Sequence, residues 1–125
     1  MIWTVLQVAL GGALGASGRY LTGVAAMRLL GPGFPFGTLI VNVVGSFLMG
    51  VLVTLLAHRG GQAVAPFLVT GVLGGFTTFS AFSLDAVALF EKGQVGLSLL
   101  YVTLSVVVSI LALAAGLLVA RGALA

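Results

Sequence analysis

The run Gly74-Gly75-Phe76-Thr77-Thr78-Phe79-Ser80-Ala81-Phe82-Ser83 decides how this chain folds. Two glycines meet two β-branched residues whose hydroxyls compete with the backbone for hydrogen bonds, so helix is weakly specified there. The run nevertheless sits inside an apolar stretch from about Gln62 to Phe90, and its first part, Gln62 to Gly75, is too short to cross a bilayer alone. We read two helical segments joined by an unwound turn over residues 74–79, near the middle of a membrane. Broken helix in hydrocarbon leaves carbonyl oxygens without partners, and each is expensive unless it meets something polar.

Three further apolar stretches surround this one, at about residues 2–27, 36–57 and 95–120. They are separated by Arg28 with Gly31-Pro32-Gly33, by His58-Arg59-Gly60-Gly61, and by Glu91-Lys92-Gly93. Hydrophobic residues make up 61% of the 125 and charged residues 6%, which excludes a soluble globule, because so few charges cannot coat a particle of that size. The fold class expected is an all-α membrane protein, one domain over residues 1–125, with four transmembrane helices and the third broken. Met1-Ile2-Trp3-Thr4 has no basic side chain ahead of the apolar run, so the first stretch reads as a retained helix and not a secretory signal. Five scattered basic residues make no nucleic-acid patch, and the lack of cysteine excludes thiolate chemistry.

Charge also bears on orientation. With four spans, Arg59 and Arg121 lie on one side of the membrane, while Arg28 and Lys92, with Arg19 inside the first span, lie on the other or nearer to it. Such a balance gives the positive-inside rule nothing to act on, so the chain is able to insert both ways round and pair with an inverted copy of itself.

Several polar residues recur every four positions, each set on one helix face. Gly11, Gly15, Arg19 and Gly23 share a face of the first helix, where the glycines allow close helix approach and Arg19 is either an anion attractor in a wet vestibule or a snorkelling side chain. Thr38, Asn42 and Ser46 form a stripe on the second helix, and Tyr101, Ser105 and Ser109 another on the fourth. Phe79 and Phe82, three apart, adjoin on the third, with Thr77, Thr78, Ser80 and Ser83 interleaved. Aromatic rings carry a positive edge, so ring edges with hydroxyl and amide donors suit a small dehydrated anion; helix packing explains the same pattern. Facing carbonyls from two unwound turns would suit a hard cation. Asp85 and Glu91 lie toward the end of the third helix and His58 in a loop, so the mid-membrane region lacks the titratable group of a proton-coupled exchanger. No nucleophile, base and orienting partner suggest an enzyme.

These residues resemble the CrcB/Fluc family of fluoride channels. The resemblance runs through Gly11-Gly12-Ala13-Leu14-Gly15-Ala16-xx-Arg19-Tyr20, then Gly37-Thr38-Leu39-xx-Asn42-xx-Gly45-Ser46-Phe47, and above all the run from Gly74 to Ser83. It implies an antiparallel, dual-topology homodimer in the cell inner (plasma) membrane, multi-pass, that exports fluoride passively through two pores and so reduces fluoride toxicity. It further implies pore residues Phe79, Phe82, Asn42, Ser105, Ser109, Tyr101, Thr38 and Ser83, with a vestibule arginine at Arg19. A structural sodium ion would be held by the backbone carbonyls of Gly74 and Thr77 at the interface of the two chains. Ala81 stands where the family often has Thr or Ser, and Asp85 where Glu is frequent. Two rival functions are a small dual-topology drug exporter, which needs a charged mid-membrane site, and an accessory helix bundle of a larger complex.

Overall fold

A computed structural model describes residues 1–125. Helix α1 runs Ile2–Leu30 and α2 runs Phe36–Arg59. The third stretch starts with a short 3-10 turn, Gln62–Val64, and continues as a π-helical segment, Pro66–Leu73. One α-helical turn, α3, Gly74–Phe76, precedes the longer α4, Phe79–Glu91, and α5 spans Val95–Leu124. Short loops separate these units. At the end of α2, Gly60 takes a left-handed conformation (φ 79°) and its N–H returns to the Leu56 carbonyl, a cap that a Cβ would strain.

The chain unwinds within the window that the sequence suggests, but not at the glycines. Gly74 and Gly75 stay helical, and the two extended residues are Thr77 (φ −87°, ψ 159°) and Thr78 (φ −154°, ψ 127°). The glycines serve space instead. A Cβ on Gly75 would stand 2.8 Å from the Gly12 carbonyl oxygen of α1. Preceding them, the π-helical coil carries Pro66 in its first turn, where a missing N–H costs nothing, and packs along α1.

That flank is a seam of backbone on backbone. A Cβ on Gly11 would collide with the Phe67 carbonyl, and one on Gly15 with the Val72 carbonyl. Small residues at such a crossing let dispersion contacts replace the hydrophobic drive that is missing between helices in lipid. Gly15→Val is therefore expected to cost at least about 3 kcal/mol, since the obstruction is main chain that cannot rotate aside. A thermal-unfolding series on detergent-purified protein measures this, and a midpoint equal to that of the unsubstituted chain would contradict it.

Only 16 of the 125 residues are buried, and large apolar side chains such as Ile2, Leu10, Leu14, Leu84 and Ile110 lie on the outside. Such a surface is untenable in water and ordinary in hydrocarbon. Three stretches, Phe36–Arg59, Gln62–Glu91 and Val95–Leu124, are long and apolar enough to cross a bilayer, with mean hydropathies of 2.4, 1.5 and 2.6. The expectation of four such stretches needs one amendment. At 29 residues α1 is about 43 Å long, ample for a span, but Gln7, Arg19 and its glycines dilute its apolar character. Gln7 donates from Nε2 to the Ala63 carbonyl (3.1 Å) and so pins the 3-10 turn ahead of the π-helical segment to α1.

Candidate functional site

Two helices meet the break between α3 and α4, and each supplies a side chain that hydrogen-bonds to it. From α1, Arg19 donates through Nε to the Gly75 carbonyl (3.1 Å). From α2, Asn42 engages Thr78 from both ends of its amide: Nδ2 donates to the Thr78 carbonyl (2.9 Å), and Oδ1 accepts from the Thr78 N–H (2.8 Å). Thr78 in turn caps α4, its hydroxyl oxygen accepting from the Ala81 N–H (3.2 Å). A side-chain amide thus takes the place of a neighbouring strand for a residue in extended conformation. One Nδ2 proton remains beyond the pair made with Thr78.

The carbonyls of Gly74 and Thr77 receive none of the loop, cap or side-chain hydrogen bonds. Thr77 turns its own hydroxyl back to the Leu73 carbonyl (3.0 Å), which its N–H also reaches. The break therefore places bare carbonyl oxygens at the end of one short helix beside the N-terminal, partially positive end of another. No group of three or more His, Asp or Glu side chains assembles in the chain.

A cavity of about 370 Å³ opens beside the break, and Asn42, Ser46, Phe79, Phe82, Ser105 and Ser109 line it. Its polar content is unusual. The Ser105 and Ser109 hydroxyls are buried and have no hydrogen-bond partner, although a helical serine can commonly bond back to its own helix. The Phe79 and Phe82 rings meet edge to face, their centroids 5.5 Å apart at 61°. They differ in setting: Phe82 is 9% exposed and Phe79 is 78% exposed, at the open side of the cavity. Removing either serine hydroxyl relieves an unpartnered buried group, so Ser105→Ala and Ser109→Ala should leave stability unchanged or raise it by up to about 1 kcal/mol. The same variants should slow any anion that uses those donors. Melting temperature and ion flux measured together test the pair, and a loss of both would mean that the hydroxyls are structural.

The remaining residues singled out in the sequence are dispersed. Tyr101 is fully buried and donates to Asp85 Oδ2 (3.1 Å), joining α5 to α4. It also continues the aromatic row, 5.3 Å from Phe82 and 5.4 Å from Phe34 between centroids. Thr38 faces two other spaces. One, about 430 Å³, lies against the Gly31–Pro35 loop with Asp85 and Lys92; the other, about 480 Å³, includes Arg19, Arg28 and Thr78. Ser83 donates to the Phe79 carbonyl of its own helix (3.0 Å) and lines none of the three. The structure gives Ser46, Thr78 and Asp85 definite places: Ser46 and Thr78 line the cavity beside the break, and Asp85 accepts from Tyr101. Ser46 is signalled by its place four residues after Asn42 and Thr78 by its capping position, but nothing local in the sequence couples Asp85 to Tyr101.

Comparison with known proteins identifies the family of the chain. The family model described as CrcB-like protein, Camphor Resistance (CrcB), matches residues 6–117. A protein of Cereibacter sphaeroides named fluoride-specific ion channel FluC is 69% identical over 122 residues, covering 98% of each chain. Proteins of the same name from a Ruegeria species and from Paracoccus denitrificans are 62% and 60% identical, covering 99% and 95% of each chain. These relatives are ion channels and not enzymes. With a match over nearly its whole length, this multi-pass membrane chain belongs to the CrcB/FluC family.

Proposed function

We propose that the chain is a fluoride-selective channel that lets the ion leave the cell down its gradient, relieving fluoride toxicity. The cavity beside the break carries this reading: two buried hydroxyls without partners share it with the Phe79 and Phe82 rings, and no charged side chain lines it. The relatives named as fluoride-specific channels support the same ion.

Fluoride is small and holds its water tightly, so a dry path must replace the shell at every step. Arg19 and Arg28 give their cavity a positive potential that draws anions in. Beyond it, Ser105 and Ser109 donate O–H groups, the second Nδ2 proton of Asn42 is free to do so, and the Phe79 and Phe82 edges present positive hydrogens. Such donors act strongly where water is excluded, and fixed ones need no reorganisation as the ion arrives. A larger halide fits the same donors less well.

Phe79 leaves its cavity open on one side, which suits a second, inverted copy as the missing wall. We therefore read an antiparallel, dual-topology homodimer with α1 as a fourth span and with two pores. A hard monovalent cation such as sodium fits the bare Gly74 and Thr77 carbonyls of the two chains, which would hold it between them. Bound there, it would satisfy oxygens that lipid cannot and add fixed positive charge.

Fluoride-electrode recording from proteoliposomes tests the function. Release is expected without an imposed proton gradient, with chloride release far slower. Vesicles that stay sealed to fluoride, or that release it only with a proton gradient, would refute the proposal. Because the chain has no cysteine, one cysteine introduced near the C-terminus reports topology cleanly. Labelling from both membrane faces in equal measure is expected, and labelling from one face alone would remove the inverted pair.

A further inference from the structure

We propose that Arg19 is a positioning residue of the break, holding the Gly75 carbonyl in place through Nε, and that this duty outweighs its charge. The inference rests on the channel reading for its effect on flux, but its structural basis stands apart from it. Gly11, Gly15 and Arg19 occupy one face of α1 at successive turns. The two glycines bring the α1 backbone against Phe67, Gly71 and Val72, and Gly12 meets Gly75 in the same seam. Arg19 stands one turn beyond, where the glycine contacts end and the third stretch leaves helical geometry.

The local chemistry explains why a side chain is needed there. Gly75 lies in the last helical turn before the extended pair Thr77 and Thr78. Unwinding removes its intrahelical donor, and the Thr78 N–H is committed to Asn42. An unpartnered carbonyl in hydrocarbon is expensive, as is a guanidinium without an acceptor. The Arg19 bond of 3.1 Å resolves both. With Asn42 holding Thr78 from α2, the break is gripped on both sides, by Arg19 ahead of the extended residues and by Asn42 at their end. The Thr77 carbonyl lies between those two grips, and the Gly74 carbonyl just ahead of the first.

Two substitutions separate placement from charge. In Arg19→Gln the amide Nε2 lies as many bonds from the backbone as Nε of arginine, so the donor survives and the charge is lost. In Arg19→Lys the charge survives, on an ammonium one atom further out. If placement outweighs charge, Arg19→Gln loses some fluoride efflux with its charge but keeps at least about tenfold more than Arg19→Lys, which retains the charge. Hydrogen–deuterium exchange of the peptide covering residues 74–81 supplies a readout independent of transport. It should accelerate at least about tenfold in Arg19→Lys and little in Arg19→Gln. Failure of Arg19→Lys alone to yield folded protein would be the extreme of the same order. The reverse order, or equal behaviour of the two variants in flux and exchange, overturns the proposal. If the unsubstituted protein releases no fluoride, the channel reading falls, and the exchange comparison alone decides the role of Arg19.

Discussion

Replacing Phe79 with isoleucine should lower fluoride efflux by up to about tenfold while leaving the folded chain intact. An aromatic edge contributes about 0.5–1.5 kcal/mol beyond simple burial, and the loss of that much from the barrier side corresponds to about two- to tenfold in rate. Phe79 suits the experiment because it is 78% exposed in the single chain, so its removal opens no cavity in the core. Phe82→Ile should reduce flux by a similar factor and carry a second penalty. Phe82 is buried and packs on Tyr101, so the smaller side chain should also lower stability by about 1–2 kcal/mol. Efflux and thermal midpoint, measured on both variants, give the two signatures. Unchanged efflux in both would remove ring edges from the mechanism.

Asn42→Ala is expected to do more damage. It deletes both hydrogen bonds to Thr78 and leaves an N–H and a carbonyl bare in the membrane interior, at about 1–3 kcal/mol each. The break should loosen and efflux should fall to the background of empty vesicles. Asn42→Asp separates the two duties of the residue: the carboxylate still accepts from the Thr78 N–H, but it no longer donates and it adds negative charge. That variant should keep more stability than Asn42→Ala and conduct no better. Restoration of efflux in Asn42→Asp would show that Asn42 only braces the break and gives the ion nothing.

Parts of this fold are legible in the sequence for plain physical reasons. Long apolar runs bounded by glycine, proline and charge mark the helices, and the break falls within residues 74–79 because helix is poorly specified there. The residues that unwind are a different matter. Gly74 and Gly75 suggest flexibility, yet Gly75 is needed for its missing side chain, since Gly12 passes close by. The thus displaced break falls on Thr77 and Thr78, where Asn42 stabilises extended backbone, and a partner 36 residues away leaves no local trace. The π-helical coil is equally hidden, since no residue pattern within 66–73 distinguishes it from an α-helix. Within the site, four-residue spacing correctly groups Asn42 with Ser46 and Ser105 with Ser109. The same spacing groups Thr38 with Asn42, although helix rise carries Thr38 into other cavities. Ser83 and Tyr101 carry hydroxyls whose partners the sequence does not reveal: one bonds to its own helix and the other to Asp85.

The bare main-chain seam along α1 divides that helix into two regimes of mutational tolerance. Leu10, Leu14 and Leu21, each more than 60% exposed, can be exchanged among aliphatic residues at little expense, because one lipid-facing side chain substitutes for another. A residue away, Gly11 and Gly15 admit not even a methyl group. Neutral drift in this protein is thereby confined to alternating strips of a single cylinder, and a library of random variants would carry that stripe as its most visible imprint.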